Sequence, residues 1–402
     1  MGKKLNMLLV CLLGFYATAS SSDFGITFKG FIKTDAFFDT RQTVTVREGH
    51  FLLYPDKEKL DAQGNDVNDG FTFNMLSIQT RLTGTVTGPD AFGAATSGVM
   101  EGAFFGHSDG DVNGFRLRHA FVKLQWEQSA LLVGQYWHPM FITEVFPGVI
   151  SFNTGVPFQP FSRNPQIRWI HTSGGAELTL VAASQRDFTS TGPKGDGSVY
   201  LRNSAVPILD ANVKFKSDRT IVGAGVNFKS LKPRLITENN YKSDSRINSI
   251  STMAFARFNL EKCTVKIEGV YGDNLTDLLM LGGYGVTGVN EATGEETYTN
   301  IRTLSTWGEL IFGDQVMYGL FAGYTRNLGS KDNVNTYYSR GNTIASVMRV
   351  SPRIACRVGN TQFAAELEYT LAAYGTPDSN GVVKKTKNIG NLRALFSAYL
   401  FF

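Results

Sequence analysis

Apolar and polar residues alternate repeatedly after the first two dozen positions, and the alternation predicts strands along the whole chain. The stretches run over about 24–39, 71–87, 95–107, 114–126, 129–138, 163–172, 175–188, 204–216, 219–229, 247–260, 263–276, 299–312, 315–328, 342–358, 361–374 and 388–402, sixteen in all. Their connections are of two kinds. Glu127-Gln128, Ser173-Gly174, Ser217-Asp218, Glu261-Lys262, Gly313-Asp314 and Gly359-Asn360 are tight hairpin links. The segments near 40–70, 139–162, 189–203, 230–246, 277–298, 329–341 and 375–387 are long and polar; in that series only Ser108–Asn113 is short. Tight turns on one rim, long loops on the other and an even strand count predict an all-β fold, a transmembrane antiparallel up-and-down β-barrel of about 16 strands. A soluble sandwich has no cause to sort its connections this way. A propeller would repeat at about forty residues, and no such repeat is present.

The faces follow from the alternation. In the first strand Phe28, Gly30, Ile32, Thr34, Ala36 and Phe38 are expected outside, with Lys29, Lys33, Asp35 and Asp39 inside. In the second, Leu76, Ile78, Thr80, Leu82, Gly84 and Val86 are expected outside, with Ser77, Gln79, Arg81 and Thr83 inside. Residues 347–358 are clearest: Met348, Val350, Pro352, Ile354, Cys356 and Val358 oppose Arg349, Ser351, Arg353, Ala355 and Arg357. A charge on the lipid face costs about 2–4 kcal/mol near the midplane, so the arginine face lines the lumen. Pro352 removes a ladder hydrogen bond, which predicts a bulge. The chain ends on a strand whose one face is Leu392, Ala394, Phe396, Ala398, Leu400 and Phe402. A strand ending on an aromatic residue is similar to the final strands of bacterial outer-membrane barrels. That resemblance implies the barrel assembly machinery as a partner, through Phe402.

Residues 1–19 read as a cleaved secretory signal peptide: Lys3 and Lys4, an apolar run from Met7 to Tyr16, then Ala17-Thr18-Ala19. Val10 precedes Cys11, so lipidation is not expected. The barrel then occupies 20–402, with the outer membrane as its location. Gly is high at 42, Phe and Tyr number 30 and 15, and mean hydropathy is -0.11. Alternating strands conceal their hydrophobicity in such an average. The formal charge of +4 becomes +2 without Lys3 and Lys4, which is no nucleic-acid pattern. Cys263 and Cys356 fall on outward faces of strands that are not neighbours, so two lipid-facing thiols are expected and not a disulfide. Nothing calls for a cofactor or a metal.

Sixteen strands enclose an aqueous channel, and selectivity comes from rings of side chains. The inward basic candidates are Lys33, Arg81, Arg116, Arg118, Arg168, Arg257, Arg349, Arg353, Arg357 and Arg393. Opposing them are Asp35, Glu101, Glu268, Glu309, Glu366 and Glu368. The basic surplus, mostly guanidinium, points to anions. Pairing of these arginines with glutamates across neighbouring strands is the plainer role. From His138 to Pro165 the chain carries five prolines and Phe141, Phe146, Phe152, Phe158 and Phe161. So apolar a loop, at about 138–165, is expected to fold inward and constrict the pore, with Glu144, Phe146, Phe152, Phe158 and Arg163 in the constriction. Glu144 is expected to face the wall arginines. A loop covering a subunit interface is the other reading.

Six stretches in order carry a family resemblance: Gly30-Phe-Ile-Lys-Thr-Asp35, Thr80-Arg81-Leu82, Met100-Glu101-Gly102-Ala103-Phe104-Phe105, Arg116-Leu-Arg-His-Ala-Phe-Val122, Gly134-Gln-Tyr-Trp-His-Pro-Met-Phe141 and Arg163-Asn-Pro-Gln-Ile-Arg-Trp169. Over these the chain resembles the DcaP-like porins, trimeric outer-membrane channels associated with small anionic solutes. The second half matches only as a barrel pattern. The resemblance implies a homotrimer, outer-membrane lipid as surroundings, and Arg81, Glu101, Arg116, Arg118 and Arg168 in the lumen. Some members carry a helical extension before the barrel. Here the first strand follows the cleavage site, so a trimer would rest on wall contacts. Two other functions compete. A hydrolase with its site on the wall would need a nucleophile motif, which none of His50, His107, His119, His138 and His171 accompanies. A surface-loop adhesin or receptor would use the Gly-, Asn- and Asp-rich loops, which solvation alone explains. Asp61 to Gly70 is similar to a calcium loop but lacks the glutamate, and reads as a solvated loop.

Overall fold

The computed structural model describes residues 24–402 apart from residue 107, so the expected signal segment and His107 lie outside the described residues. Sixteen antiparallel strands close a barrel. They are β1 (Gly25–Asp39), β2 (Thr72–Leu76 continued by Arg81–Ala91), β3 (Ala94–Ala103), β4 (Arg116–Gln125), β5 (Ser129–Trp137), β6 (Arg163–Ser173), β7 (Ala176–Ala183) and β8 (Ile208–Lys216). The second half comprises β9 (Thr220–Leu231), β10 (Ile247–Asn259), β11 (Cys263–Asp273), β12 (Glu296–Phe312), β13 (Val316–Ser330), β14 (Ile344–Val358), β15 (Thr361–Pro377) and β16 (Val383–Phe401). β1 pairs with β2 on one side and with β16 on the other, from Phe31↔Phe401 to Asp39↔Arg393. That seam removes the last free edge. No described helix is long and apolar enough to cross a membrane.

The turn rim carries links at 92–93, 126–128, 174–175, 217–219, 260–262, 313–315 and 359–360. The loop rim carries loop 1 (40–71), loop 2 (104–115), loop 3 (138–162), loop 4 (184–207), loop 5 (232–246), loop 6 (274–295), loop 7 (331–343) and loop 8 (378–382). Loop 1 contains a hairpin, Thr43–Val46 with Phe51–Pro55. Gly282–Val289 in loop 6 continues the wall upward, between β12 and Thr336–Arg340 of loop 7.

Three sequence expectations change. The gap expected at 375–387 shrinks to loop 8, because β15 and β16 stay paired to Pro377↔Val383 across a shift near Thr376. Lys384, Lys385 and Lys387 show no alternation there, since both faces are wet above the barrel. Leu76 and Ile78, expected outside, point inward. A turn at 77–80, closed by the Thr80 amide to the Ser77 carbonyl at 3.1 Å, resets the parity of β2. Phe73 and Met75 are the exposed neighbours instead, and Ile78 is 1% exposed. Pro352 makes no bulge. The β14–β15 register is the same on either side of it, Val350↔Tyr369 and Arg353↔Glu366, so the proline costs ladder positions and leaves the register intact.

The outer wall is an apolar band that includes exposed Ile32, Leu82, Met100, Val122, Ile167, Leu180, Ile250, Leu304, Leu320 and Ile354. Cys263 and Cys356 are free thiols. The interior is not an empty tube. Phe51, Leu53 and Tyr54 of loop 1, Met140 to Phe161 of loop 3 and Leu275 to Leu281 of loop 6 pack with wall residues Phe255, Trp307, Phe321 and Val347 in one buried cluster. Gly323 on β13 is part of that fit: a Cβ there would stand 2.5 Å from the Phe158 ring.

Candidate functional site: the lumen and its inner loops

Loop 3 turns inward at His138 and runs round the inside of the barrel. Wall side chains grip its backbone at each step. Asn212 of β8 donates to the Pro139 carbonyl at 3.1 Å, Arg257 of β10 to the Glu144 carbonyl at 3.0 Å, and Lys266 of β11 to the Phe146 carbonyl at 2.9 Å. Glu309 of β12 accepts from the Gly148 amide at 2.8 Å, and Glu366 of β15 from the Ile150 amide at 2.7 Å. Lys33 of β1 donates to the Ile150 carbonyl at 2.8 Å and pairs with Asp35 at 3.1 Å. On the return, Arg349 of β14 donates to the Val156 carbonyl at 2.9 Å and Ser305 of β12 to the Phe158 carbonyl at 3.0 Å.

Arg349 also donates to the carbonyls of Leu52 and Leu53 at 3.0 and 3.1 Å, so it holds loop 1 as well. Arg393 donates to both carboxylate oxygens of Asp39 at 2.9 and 2.7 Å, and to the Gly49 carbonyl of loop 1 at 2.9 Å. His50 of loop 1 sits 2.6 Å from Asp35, between the rings of Phe37 and Phe152. Arg353 lies 2.8 Å from Glu309, beneath Gly319, where a Cβ would meet the guanidinium at 2.3 Å.

Five of the other predicted residues fall into two groups. Arg118 donates to Glu101 at 2.6 Å, with Arg81 at 3.6 Å from the same oxygen. Arg116 and Arg163 both meet Asp187 of loop 4, at 2.6 and 2.7 Å. Arg168 donates to the Trp137 carbonyl at 2.8 Å and covers the Tyr136 ring. Arg357 stands apart: it lies at the turn rim over Phe401, away from the inner loops, because β14 emerges there. Phe152 and Phe158 are fully enclosed and Phe146 is partly open. Glu144 pairs with Lys214 and Lys216 of β8 at 2.8 and 2.7 Å, not with wall arginines, because the loop passes β8 before it reaches β10. Burial alone would raise the Glu144 carboxyl, but its bonds to the two lysines bring it down to about 2. A recess of about 40 Å³ lies between Glu144, Arg168, Glu177, Asn212 and Lys214.

Several of these partners escaped the sequence reading. Lys214 and Lys216 alternate on β8 in the usual inward pattern and were findable. The buried hairpin of loop 1 had one sign, the apolar run Phe51-Leu-Leu-Tyr54 inside a polar loop. Arg47 and Asp187 had none. In the calcium-like stretch, Asp66 accepts from Arg41 at 2.6 Å and Asp61 from the amides of Gln63 and Asn65, so both acids are used within the loop. Ser129 and His171 meet at 3.0 Å, but on the outer wall beside exposed Trp169.

His138 gives a pH dependence. It is enclosed, and its Nδ1 accepts from the Met140 amide at 3.2 Å. Burial, reinforced by Lys229 and Arg168 against Asp277, lowers it from 6.5 to about 4. The folded state thus refuses a proton that the unfolded chain takes up. Stability from this group is complete above pH 6.5 and falls by about 3 kcal/mol as pH drops towards 4. Urea midpoints across that range should decline, and a His138→Asn variant should flatten the decline.

No protein-family model and no curated protein sequence matches the chain. Solved structures do. The outer membrane channel DcaP of Acinetobacter baumannii superposes with a TM-score of 0.69 at 16% identity, over 95% of this chain and 99% of that one. The fold is that of a DcaP-type porin barrel. An anion-selective porin from Comamonas acidovorans shares this porin fold at a TM-score of 0.57 and 10% identity, over 94% of this chain and 100% of that one. OmpT of Vibrio cholerae, an outer membrane protein folded in vitro to a trimer, does so at 0.54 and 10%, over 94% and 99%.

Proposed function

We propose that the chain is a passive outer-membrane porin that favours small anionic solutes. One observation carries this reading. On the turn side of loop 3, the inward side chains that stay partly open to water include Arg81, Arg168, Lys214, Arg257 and Lys266, against Glu101, Glu144 and Glu177. The deeply enclosed Lys33, Arg349 and Arg393 hold the loops; in the open set Arg257 and Lys266 also bond to the loop 3 backbone, and the set as a whole faces the solute. Loop 3 is the constriction: Glu144 and Phe146 border the opening, while the enclosed Phe152 and Phe158, with Arg163 at the start of β6, seat the loop against the wall. The porin acts as a homotrimer in outer-membrane lipid, exported by a signal peptide and inserted through its final strand by the barrel assembly machinery. It acts as a passage and not as a catalyst. The anion selectivity of the Comamonas porin and the trimer of OmpT agree with this reading.

Planar-bilayer recording of the refolded barrel tests it. Steps in groups of three and a reversal potential favouring chloride in a KCl gradient are expected. Arg168→Gln should lower the chloride preference by about twofold, the effect of one charge at roughly 10 Å in water. A cation preference would overturn the anion reading, and an absence of conductance would overturn the porin.

A further inference from the structure

Three guanidinium groups converge on one carboxylate at the loop rim. Arg116, the first residue of β4, donates to Asp187 Oδ1 at 2.6 Å. Arg163, the first residue of β6, donates from Nε to Oδ2 at 2.8 Å, with Nη2 at 2.7 Å from the same oxygen. Arg47, from the turn of the loop 1 hairpin, reaches Oδ1 at 3.2 Å. All three also flank the ring of Phe105, at 4.1 Å for Arg47, 5.5 Å for Arg163 and 5.8 Å for Arg116. Asp187 is 3% exposed at its side chain and none of the three guanidiniums exceeds 10%.

The charges do not balance. Three cations share one anion, and two positive charges are left in a nearly dry site. The adjoining pair of Arg81 and Arg118 shares the single carboxylate of Glu101, which adds a further surplus cation among the described residues. Among the described residues, Nη1 of Arg47 and Nη1 of Arg163 are buried without a hydrogen-bond partner. A cluster serving only to pin loop 4 to the wall would need one guanidinium for each carboxylate oxygen. It would have no use for a third cation or for unmet N–H groups, both of which cost stability in a buried site. The chain also strains to place Arg47: Arg47 and Glu48 lie at φ 60° and 53°, a left-handed conformation unfavourable to non-glycine residues, and Gly49 continues it at 86°.

We propose that Arg47, Arg116 and Arg163 form a binding site for a small oxyanion of carboxylate or phosphate type, in which Asp187 is a resident occupant that an arriving anion displaces. Planar guanidinium forks suit such oxygens. A dianion would leave one unbalanced positive charge where Asp187 leaves two. Loop 4, released from the cradle, would carry Asp187 and its exposed neighbour Arg186 towards solvent. The assignment deepens the anion-porin reading and rests on it for its meaning in transport. Binding itself can be measured without conductance.

The test is calorimetric titration of inorganic phosphate into the refolded, detergent-solubilised barrel at constant ionic strength. Asp187→Asn removes the resident charge and should tighten phosphate binding roughly tenfold or more. Adding Arg47→Gln to that variant should reverse the gain. An Asp187→Asn barrel that keeps its folded electrophoretic mobility but binds no more tightly than the parent overturns the proposal. If Asp187→Asn does not fold, Arg47→Gln alone decides: lost phosphate binding supports the site, and unchanged binding overturns it. Anion-selective conductance without this binding would discard the site and leave the porin reading standing. Phosphate binding in a barrel that does not conduct would do the reverse.

Discussion

Replacing Arg349 with leucine should release loops 1 and 3 together. No other wall residue described above bonds to both: its guanidinium holds the carbonyls of Leu52, Leu53 and Val156, donates to Thr370 Oγ1 at 2.8 Å and lies 3.5 Å from Glu368. Leucine fills part of the volume but leaves the buried Glu368 carboxylate without its cation, a change that costs about 3–5 kcal/mol. Two readouts are expected to move. The urea midpoint of the refolded barrel falls, and the single-channel step grows because both inner loops lose their anchor. Thr370→Val is the comparison, since it removes one hydrogen bond to the same guanidinium and should cost about 1 kcal/mol. A lowered midpoint with an unchanged step would place both loops outside the conducting path.

The second large effect is expected at the seam. Asp39 and Arg393 are direct partners across β1 and β16. Their side chains, 3% and 1% exposed, form a two-pronged bond. Arg393→Leu strands Asp39 beside Asn391 and should destabilise the barrel by about 3–5 kcal/mol. It should also slow formation of the compact, heat-modifiable band on electrophoresis, because the seam is the last pairing to close the cylinder. Changing both residues, Asp39→Leu with Arg393→Leu, should recover most of the loss, since no uncompensated charge remains. A double variant as weak as the single one would show that the bond to Gly49, and not the ion pair, sets the stability of the seam.

Much of the barrel is legible in the alternation because one wall face meets an apolar surround and the other meets polar partners. Residues 347–356 are the clear case, with five inward positions and five outward ones in strict order. Legibility fails where that contrast fails. At Leu76 and Ile78 the partners inside are the rings of loop 1 and loop 3, so an apolar residue is as much at home inward as outward. At Lys384 to Lys387 both faces are wet. The candidate site was harder to read than the wall. Inward parity finds Arg349 and Arg353, but parity cannot say that a guanidinium is spent on a loop carbonyl instead of a solute. That depends on a hairpin some 300 positions away in sequence, as with Leu52 and Arg349. The Asp187 cradle gathers four segments, and no local pattern announces it.

The wall holds the inner loops largely by peptide groups: the carbonyls of Gly49, Leu52, Leu53, Pro139, Glu144, Phe146, Ile150, Val156 and Phe158 and the amides of Gly148 and Ile150. Every residue type supplies a carbonyl, and every one but proline supplies an amide. The fastening is therefore indifferent to which side chains the loops display. On the porin reading, a lineage can rewrite the open part of loop 3 while the frame that positions it stays fixed. Such a barrel would acquire new permeants by substitution at loop 3 positions outside its packed rings and its Glu144 ion pairs, with no matching change in its strands.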